Sequence, residues 1–301
     1  MNIKFKELEA VDVALLRPYF GLRSNLTCDS VILDSFLWKE YYNVEFALLD
    51  EKAVLMKMYR DGRHMAALPI TRMEDMPRYF RLLEQYFNEE LGVKCNIMLA
   101  DLPGIKALQL EPGTHEYYEV ADGADYIYDA EKLRTLSGKK YHKKKNHVNA
   151  FLKEYEGRYE YRRLCGEAKQ DIWRFLDRWE ANKGDDAGRH LAGEVIGIHN
   201  ILNNMEVLAT CVSGVYVDGE LEAFTIGSYN KVDRMSIVHI EKANPEIRGL
   251  YPFINQQFQV HAFPDALLVN REDDLGIPAL RKAKESYHPV LMGKKYTLIQ
   301  K

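Results

Sequence analysis

The chain has 301 residues, a formal net charge of −4, 47% hydrophobic and 29% charged residues. That composition fits one large or two ordinary globular domains and excludes a disordered or fibrous chain. With a pI near 6.2, whole-chain charge offers nothing to nucleic acid, so any anion binding has to come from local clusters.

No run approaches the length of an apolar membrane span. The start, MNIKFKELEA, places charges where a signal peptide needs its apolar core. The expectation is a cytoplasmic protein with no transmembrane segment. Cys28, Cys95, Cys165 and Cys211 are far apart with no C-x-x-C pair. That argues against a zinc site or a disulfide framework and for small buried hydrophobes. The sequence gives no metal ligand set and no tightly bound cofactor, and it does not set an oligomeric state.

In chain order, IKFKEL reads as a strand, and VDVALLRPYF and DSVILDSFLWKEYY read as helical. VEFALLD, AVLMKMYR and HMAALPI form a three-strand meander, with Asp61-Gly62 at one turn. MPRYFRLLEQYF is a helix, KCNIMLA a strand, LPGIKALQL a short helix, and HEYYEV follows as a further strand. The second half begins with the strand YEYRRLC. Ile172, Phe175, Leu176 and Trp179 then recur at helical spacing. A glycine-containing break, KGDDAG, leads to a second helix through about Leu208. A hairpin around Asp218-Gly219 and the strand RMSIVHIEKA follow. The chain closes with a helix near 250–262, the strand ALLVN, a helix near 277–287 and a final strand near 290–299.

Both halves therefore run strand, two helices, three-strand meander, helix, strand, helix, strand. This is the order of the GNAT acyltransferase fold. Two copies in one chain resemble the Fem-type aminoacyltransferases and the soluble domain of phosphatidylglycerol lysyltransferase. Three stretches, GKKYHKKKNHVNAF, HIEKANPEIRGLYPFINQQF and NREDDLGIPALRKAKESYHP, look like the hallmark segments of a bacterial family grouped with that lysyltransferase domain. The resemblance implies an α+β fold of two tandem GNAT-like (acyl-CoA N-acyltransferase) lobes. Each is a mixed, mostly antiparallel splayed sheet flanked by helices. The expected division is 1–128 for the first lobe, 129–157 for a basic connecting helix, and 158–301 for a second lobe with the active cleft.

Residues 137–151, SGKKYHKKKNHVNAF, place five lysines between positions 139 and 145 of an otherwise acidic chain. Tyr141, Val148, Phe151, Leu152 and Tyr155 form an apolar stripe on a helical wheel. Lys139, Lys140, Lys143 and His147 lie away from it, while Lys144 and Lys145 flank it. The stretch reads either as a solvated connector helix or as a phosphate-contacting surface of Lys140, Lys143, Lys144 and Lys145. In Fem-type enzymes a basic helix of this character lies between the lobes and the donor is an aminoacyl-tRNA. The resemblance thus implies tRNA as a partner, with aminoacyl-tRNA or an acyl-CoA as donor substrate.

In NPEIRGLYPF, Arg248-Gly249 precedes a helix. A GNAT acetyl-CoA site has a loop of the form R/Q-x-x-G-x-G/A there, whose backbone N–H groups cradle pyrophosphate. Here the second small residue is missing, and Leu250, Tyr251 and Pro252 follow. That departure disfavours acetyl-CoA. An ordinary strand-to-helix turn is the structural alternative. The corresponding stretch of the first lobe, PITRMEDMPRYF, has no glycine, so the cleft is expected in the second lobe.

Strict alternation along MSIVHIE sends Met235, Ile237, His239 and Glu241 to one face. The cleft is expected where this strand splays from ALLVN, with Glu241 or His239 as the base for an attacking amine or hydroxyl. A polar pair on a half-solvated sheet is the alternative. Asn270 and Arg271 end the next strand, and Glu272, Asp273 and Asp274 place negative charge before a helix, as caps or as a cleft wall for a cationic amine. Lys284 interrupts the stripe Leu280, Ala283, Tyr287, so a partner such as Asp273 or Glu241 is expected for it. GNAT enzymes often end this helix with LY-x-x-x-GF, whose tyrosine is the general acid. Alignment on Ser286-Tyr287 places Lys282 at that tyrosine, leaving Tyr287 or a lysine as substitute. Asn255, on the helix after the loop, completes the candidate donor-side set with Arg248, Gly249, Tyr251, Asn270, Arg271 and Asp273. The leading expectation is an acyltransferase, its small-molecule or lipid-headgroup acceptor unspecified. An acetyl-CoA-dependent N-acetyltransferase and a non-catalytic binding module are the alternatives.

Overall fold

The computed structural model describes residues 3–181, 189–208 and 210–301. The glycine-containing break expected at 183–188 lies outside the described residues.

The first half supplies β1 (Lys6–Glu7), α1 (Val13–Phe20), α2 (Ile32–Leu37), α3 (Lys39–Tyr42), β2 (Glu45–Leu49), β3 (Ala53–Arg60) and β4 (Arg63–Ala66). It continues with α4 (Met76–Gln85), β5 (Ile97–Ala100), α5 (Leu102–Ala107) and β6 (His115–Glu119). Then come β7 (Asp125–Asp129), α6 (Ala130–Thr135), the basic helix α7 (His142–Glu154), β8 (Tyr159–Arg163), α8 (Lys169–Ala181), α9 (Arg189–Asn203) and α10 (Met205–Leu208). The chain ends with β9 (Cys211–Val217), β10 (Glu220–Asn230), β11 (Met235–Ala243), α11 (Leu250–His261), β12 (Leu268–Asn270), α12 (Pro278–Glu285), β13 (Leu291–Gly293) and β14 (Tyr296–Gln300). Both expected hairpin turns form. Asp61 and Gly62 have φ of 49° and 78°, and Asp218 and Gly219 have φ of 51° and 87°, the paired left-handed geometry that Asp-Gly supplies.

These strands make two seven-stranded sheets, ordered β1-β2-β3-β4-β5-β14-β6 and β8-β9-β10-β11-β12-β7-β13. Position for position the two orders correspond, including the parallel pairs β4·β5 and β11·β12. This is the tandem arrangement of two mixed, mostly antiparallel sheets flanked by helices. The sixth place in each sheet is filled from the other half. β7 pairs with β12 and β13 in the second sheet, whereas β14 pairs with β5 and β6 in the first. The single final strand expected near 290–299 is therefore two strands in two sheets. The turn at 294–295 carries the chain across.

Burial gives the layers. Helix α4 covers the outer face of the first sheet, where Tyr79, Phe80 and Leu83 pack with Leu55 and Ile97. Helices α1, α2, α8 and α9 share one core with inward residues of both sheets, among them Phe46, Val54, Phe224 and Ile240. The stripe Ile172, Phe175, Leu176 of α8 points into this middle layer. Helices α6, α7 and α11 cover the outer face of the second sheet with Val148, Phe151, Leu250 and Phe253. The two faces of the second sheet thus look onto different surroundings, and this decides where each candidate site residue ends up.

Candidate functional site

Strands β11 and β12 pair over only three positions, the last being Ile237 with Asn270. Beyond this, β11 runs on to Ala243 while the segment after β12 turns away at 271–274. The register of β11 against β10 slips here. Ile240 faces Ile226 and Val238 faces Gly227, so His239 is an extra residue. A β-bulge of this kind shifts the side-chain phase by one. His239 turns towards α2, while Glu241 turns towards α11. The expectation that both share a face is therefore corrected: they lie on opposite faces of one strand. Gly227 marks the spot, since a Cβ there would meet the Ile237 carbonyl at 2.6 Å.

On the α11 side, Glu241 holds two partners. One carboxylate oxygen accepts from Arg271 Nη2 at 2.8 Å and the other from Asn255 Nδ2 at 2.8 Å. The Arg271 guanidinium lies 4.7 Å from the centre of the Tyr287 ring. Lys144 reaches in from α7, with Nζ 3.9 Å from the same ring centre. Burial, then Arg271 and Lys143, lower the Lys144 pKa to about 8, with Glu241 opposing the shift. Burial raises the Tyr287 hydroxyl, with Arg271 opposing it, and burial also raises Tyr251 nearby. Two polar atoms of this site are buried without a hydrogen-bond partner, Nη1 of Arg271 and Oδ1 of Asn255.

On the α2 side, His239 is fully enclosed. Its Nε2 lies 2.8 Å from Ser228 Oγ and its Nδ1 2.8 Å from Glu272 Oε1. Asp34 of α2 brings Oδ1 to 3.9 Å from the same Nδ1. Next to it, Lys295 pairs with Asp125 at 2.8 Å and lies 3.8 Å from Asp29 and 3.7 Å from Asp273. Burial disfavours the Lys295 charge, but Asp125, Cys28 and Asp29 hold its pKa well above the ordinary value. Burial is the leading cause that raises Asp34, Asp29 and Glu272, and the neighbouring carboxylates add to it.

The other expected residues divide between these places. Asn270 is buried on the α2 side, where it donates to Asp125 and to the Leu26 carbonyl and accepts from the Glu272 N–H. The partners of Lys284 are neither Asp273 nor Glu241 carboxylates but main-chain carbonyls, those of Arg271 at 2.5 Å, Glu272 at 3.1 Å and Asp273. Lys284 therefore pins the turn on which Arg271 and Glu272 ride. Glu241 is consequently separated from Asn270 by the sheet, and Lys284 holds the turn between them. Asp273 and Asp274 accept from Leu275 and Gly276 N–H in local turns, and no side chain caps α12 at Ile277. Their expected capping role thus falls to Asx turns one step earlier. Lys282 is exposed on α12, away from the buried end occupied by Tyr287. Arg248 is exposed. Gly249 adopts φ of 86°, and a Cβ there would sit 2.1 Å from the His147 carbonyl of α7. The glycine thus serves close helix packing, and α7 backbone lies where a phosphate cradle would need space.

Lys140, Lys143 and Lys145 are exposed, and among the described residues none forms an ion pair with them. They sit around the N-terminus of α7, whose first turn has no acidic residue. Cations at this end oppose the helix dipole, so the arrangement is locally unfavourable without an anion. Sequence reasoning missed Asp34, Asp29, Asp125, Ser228 and Lys295. Asp34 carried a visible signal, a carboxylate inside the apolar run ILDSFL. The others had none. No described helix is long and apolar enough to cross a membrane.

The profile of the family described as phosphatidylglycerol lysyltransferase, C-terminal, matches residues 28–299. A conserved protein of unknown function from Bacteroides thetaiotaomicron VPI-5482 superposes with a TM-score of 0.88 at 26% identity, covering 100% of both chains. The C-terminal domain of a putative lysylphosphatidylglycerol synthetase from Agrobacterium fabrum gives 0.70 at 13% identity, over 97% of this chain and 92% of that one. The L-PGS structure from Bacillus licheniformis gives 0.68 at 14% identity, over 98% and 94%. At these lower identities the last two speak for the fold alone.

Proposed function

The chain belongs to the phosphatidylglycerol lysyltransferase C-terminal family, and from that premise we propose that it is an acyltransferase moving an aminoacyl group from aminoacyl-tRNA to an amine or hydroxyl acceptor. The fold is consistent with acyl transfer in general. The finer reading is carried by one observation. At the opening between β11 and β12, Arg271 keeps an unused donor and Asn255 an unused acceptor on either side of Glu241. A buried unsatisfied pair is costly, and an ester carbonyl with a neighbouring amine would satisfy both.

In this reading the acceptor nitrogen or oxygen attacks the carbonyl carbon of the donor ester. The oxyanion develops against the Arg271 guanidinium, held in place by Glu241 and the Tyr287 ring. Lys144, lowered to about 8, is close enough to neutrality to take the proton of the attacking group. It returns that proton to the ribose oxygen as the ester bond breaks. Because Lys144 belongs to α7, the exposed Lys140, Lys143 and Lys145 would hold donor phosphates on the same helix that serves the reacting atoms. An acetyl-CoA donor is disfavoured by the approach of Gly249 to α7.

The test is tRNA binding across several salt concentrations by the wild type and a Lys140→Ala/Lys143→Ala/Lys145→Ala variant, with transfer from charged tRNA assayed alongside. Binding should weaken steeply with salt, and the variant should lower the salt slope by up to about three units. Lys144→Met should abolish transfer while leaving most of the binding. Absence of binding at low salt, or equal slopes, refutes the RNA donor. Binding without transfer leaves a binding module on the same fold.

A further inference from the structure

The α2 side of the second sheet carries a charge imbalance that the acyl-transfer reading does not use. Asp29, Asp34, Asp125, Glu272 and Asp273 gather around two ammonium groups, Lys295 and Lys284. Lys295 neutralises Asp125 directly, and Lys284 is committed to main-chain carbonyls. The carboxyl groups outnumber the ammonium groups by three, at a place enclosed by both lobes.

Asp34 shows where that excess is focused. It is 7% exposed, and its Oδ1 is buried with no hydrogen-bond partner. That oxygen points at His239 Nδ1 across 3.9 Å, a gap too long for a hydrogen bond. Glu272 Oε1 lies 2.8 Å from the same nitrogen. The three ligand atoms, one from Asp34, one from His239 and one from Glu272, all fall within 4.8 Å of one another. Ser228 completes the arrangement, because an oxygen 2.8 Å from Nε2 can accept that N–H and so leave the Nδ1 lone pair free. This is the outer-shell device that orients metal-binding imidazoles.

We propose that Asp34, His239 and Glu272 form a binding site for a divalent transition-metal ion at the junction of the two lobes. Two carboxylate oxygens and one imidazole nitrogen suit Zn²⁺ or Mn²⁺, with remaining positions open to water or to a ligand oxygen. Asp34 comes from the first half of the chain and the other two ligands from the second, so the ion ties the lobes together. Neither the tRNA surface nor the Glu241 site takes part, and this site stands or falls separately from the proposed transfer.

The experiment is titration of chelator-treated full-length protein with Mn²⁺, followed by the loss of the free-ion electron paramagnetic resonance signal, and with Zn²⁺ by calorimetry. The expected result is one saturable ion per chain and a melting temperature that rises with ion concentration. Asp34→Asn, of equal size, and Glu272→Gln should each weaken affinity at least about tenfold. Co²⁺ added to the wild type should give visible absorption bands that both variants reduce. Absence of saturable binding by the wild type, or unchanged affinity in both variants, overturns the proposal.

Discussion

Glu241 and Arg271 form an enclosed ion pair at 2.8 Å, with side-chain exposures of 7% and 12%. Replacing Glu241 by Gln keeps the shape but leaves the guanidinium buried without its counter-charge. At an effective dielectric near 20, two unit charges at this distance attract by about 6 kcal/mol. Desolvation absorbs part of that in the intact pair, and removing one partner of such a pair costs about 3–5 kcal/mol. Arg271→Met strands the carboxylate in the same way and also loses the stacking on Tyr287. The double variant strands no charge, so its loss should fall short of the summed single losses by at least about 2 kcal/mol. Urea unfolding of the wild type, both single variants and the double variant, followed by tryptophan fluorescence, measures this. Additive losses within about 0.5 kcal/mol would refute the pairing as the organiser of the splayed strands. The same result bears on function, because a turnover defect in Glu241→Gln is interpretable only beside its stability.

Gly249→Ala should destabilise the chain by at least about 2 kcal/mol, seen as a lower melting temperature, because a left-handed backbone and contact with the His147 carbonyl coincide there. For Lys144, the folded-state pKa of about 8 lies below the ordinary lysine value. Between roughly pH 8 and 10 this lysine is more protonated in the unfolded chain, so its own contribution to stability rises with pH across this window. Lys144→Met should be the more stable protein at pH 7, and its advantage should shrink by pH 10 in paired urea titrations.

Much of the architecture was legible because it rests on local periodicity and turn chemistry. The α8 stripe Ile172, Phe175, Leu176 and the two Asp-Gly turns could be read from neighbouring residues alone, as could the repeated order of elements. The exchange of strands between sheets could not. Tyr126, Ile127 and Tyr128 of β7 are consecutive and all buried, so no alternation of apolar and polar residues selects the partner. The site failed in a more specific way. Alternation puts His239 on the α2 face with Met235 and Ile237, where it lies, but the extra residue opposite Gly227 flips the phase after it and sends Glu241 to the other face. Lys284 looked like a partner for a carboxylate because an ammonium in an apolar stripe needs acceptors. Three backbone carbonyls meet that need equally well, and sequence does not display them.

The strand exchange explains why a costly buried ion pair sits where it does. Asp125 opens β7, and Lys295 lies in the short crossing between β13 and β14, so each belongs to the segment that passes from one sheet to the other. They meet at 2.8 Å with side-chain exposures of 0% and 3%. A buried pair of this kind contributes little net stability, since desolvation offsets attraction. Its effect is on the choice between pairings. If β7 stayed with the first sheet, or β14 with the second, one charge would be enclosed without the other, at a cost of several kcal/mol. Asn270 reinforces the choice, because its amide reaches Asp125 across the β12·β7 pair and the Leu26 carbonyl of the first half. The crossing that ties the lobes together is thus specified by charge where hydrophobic patterning is indifferent. The acidic cluster beside it is built from residues that only this crossing brings within reach of one another.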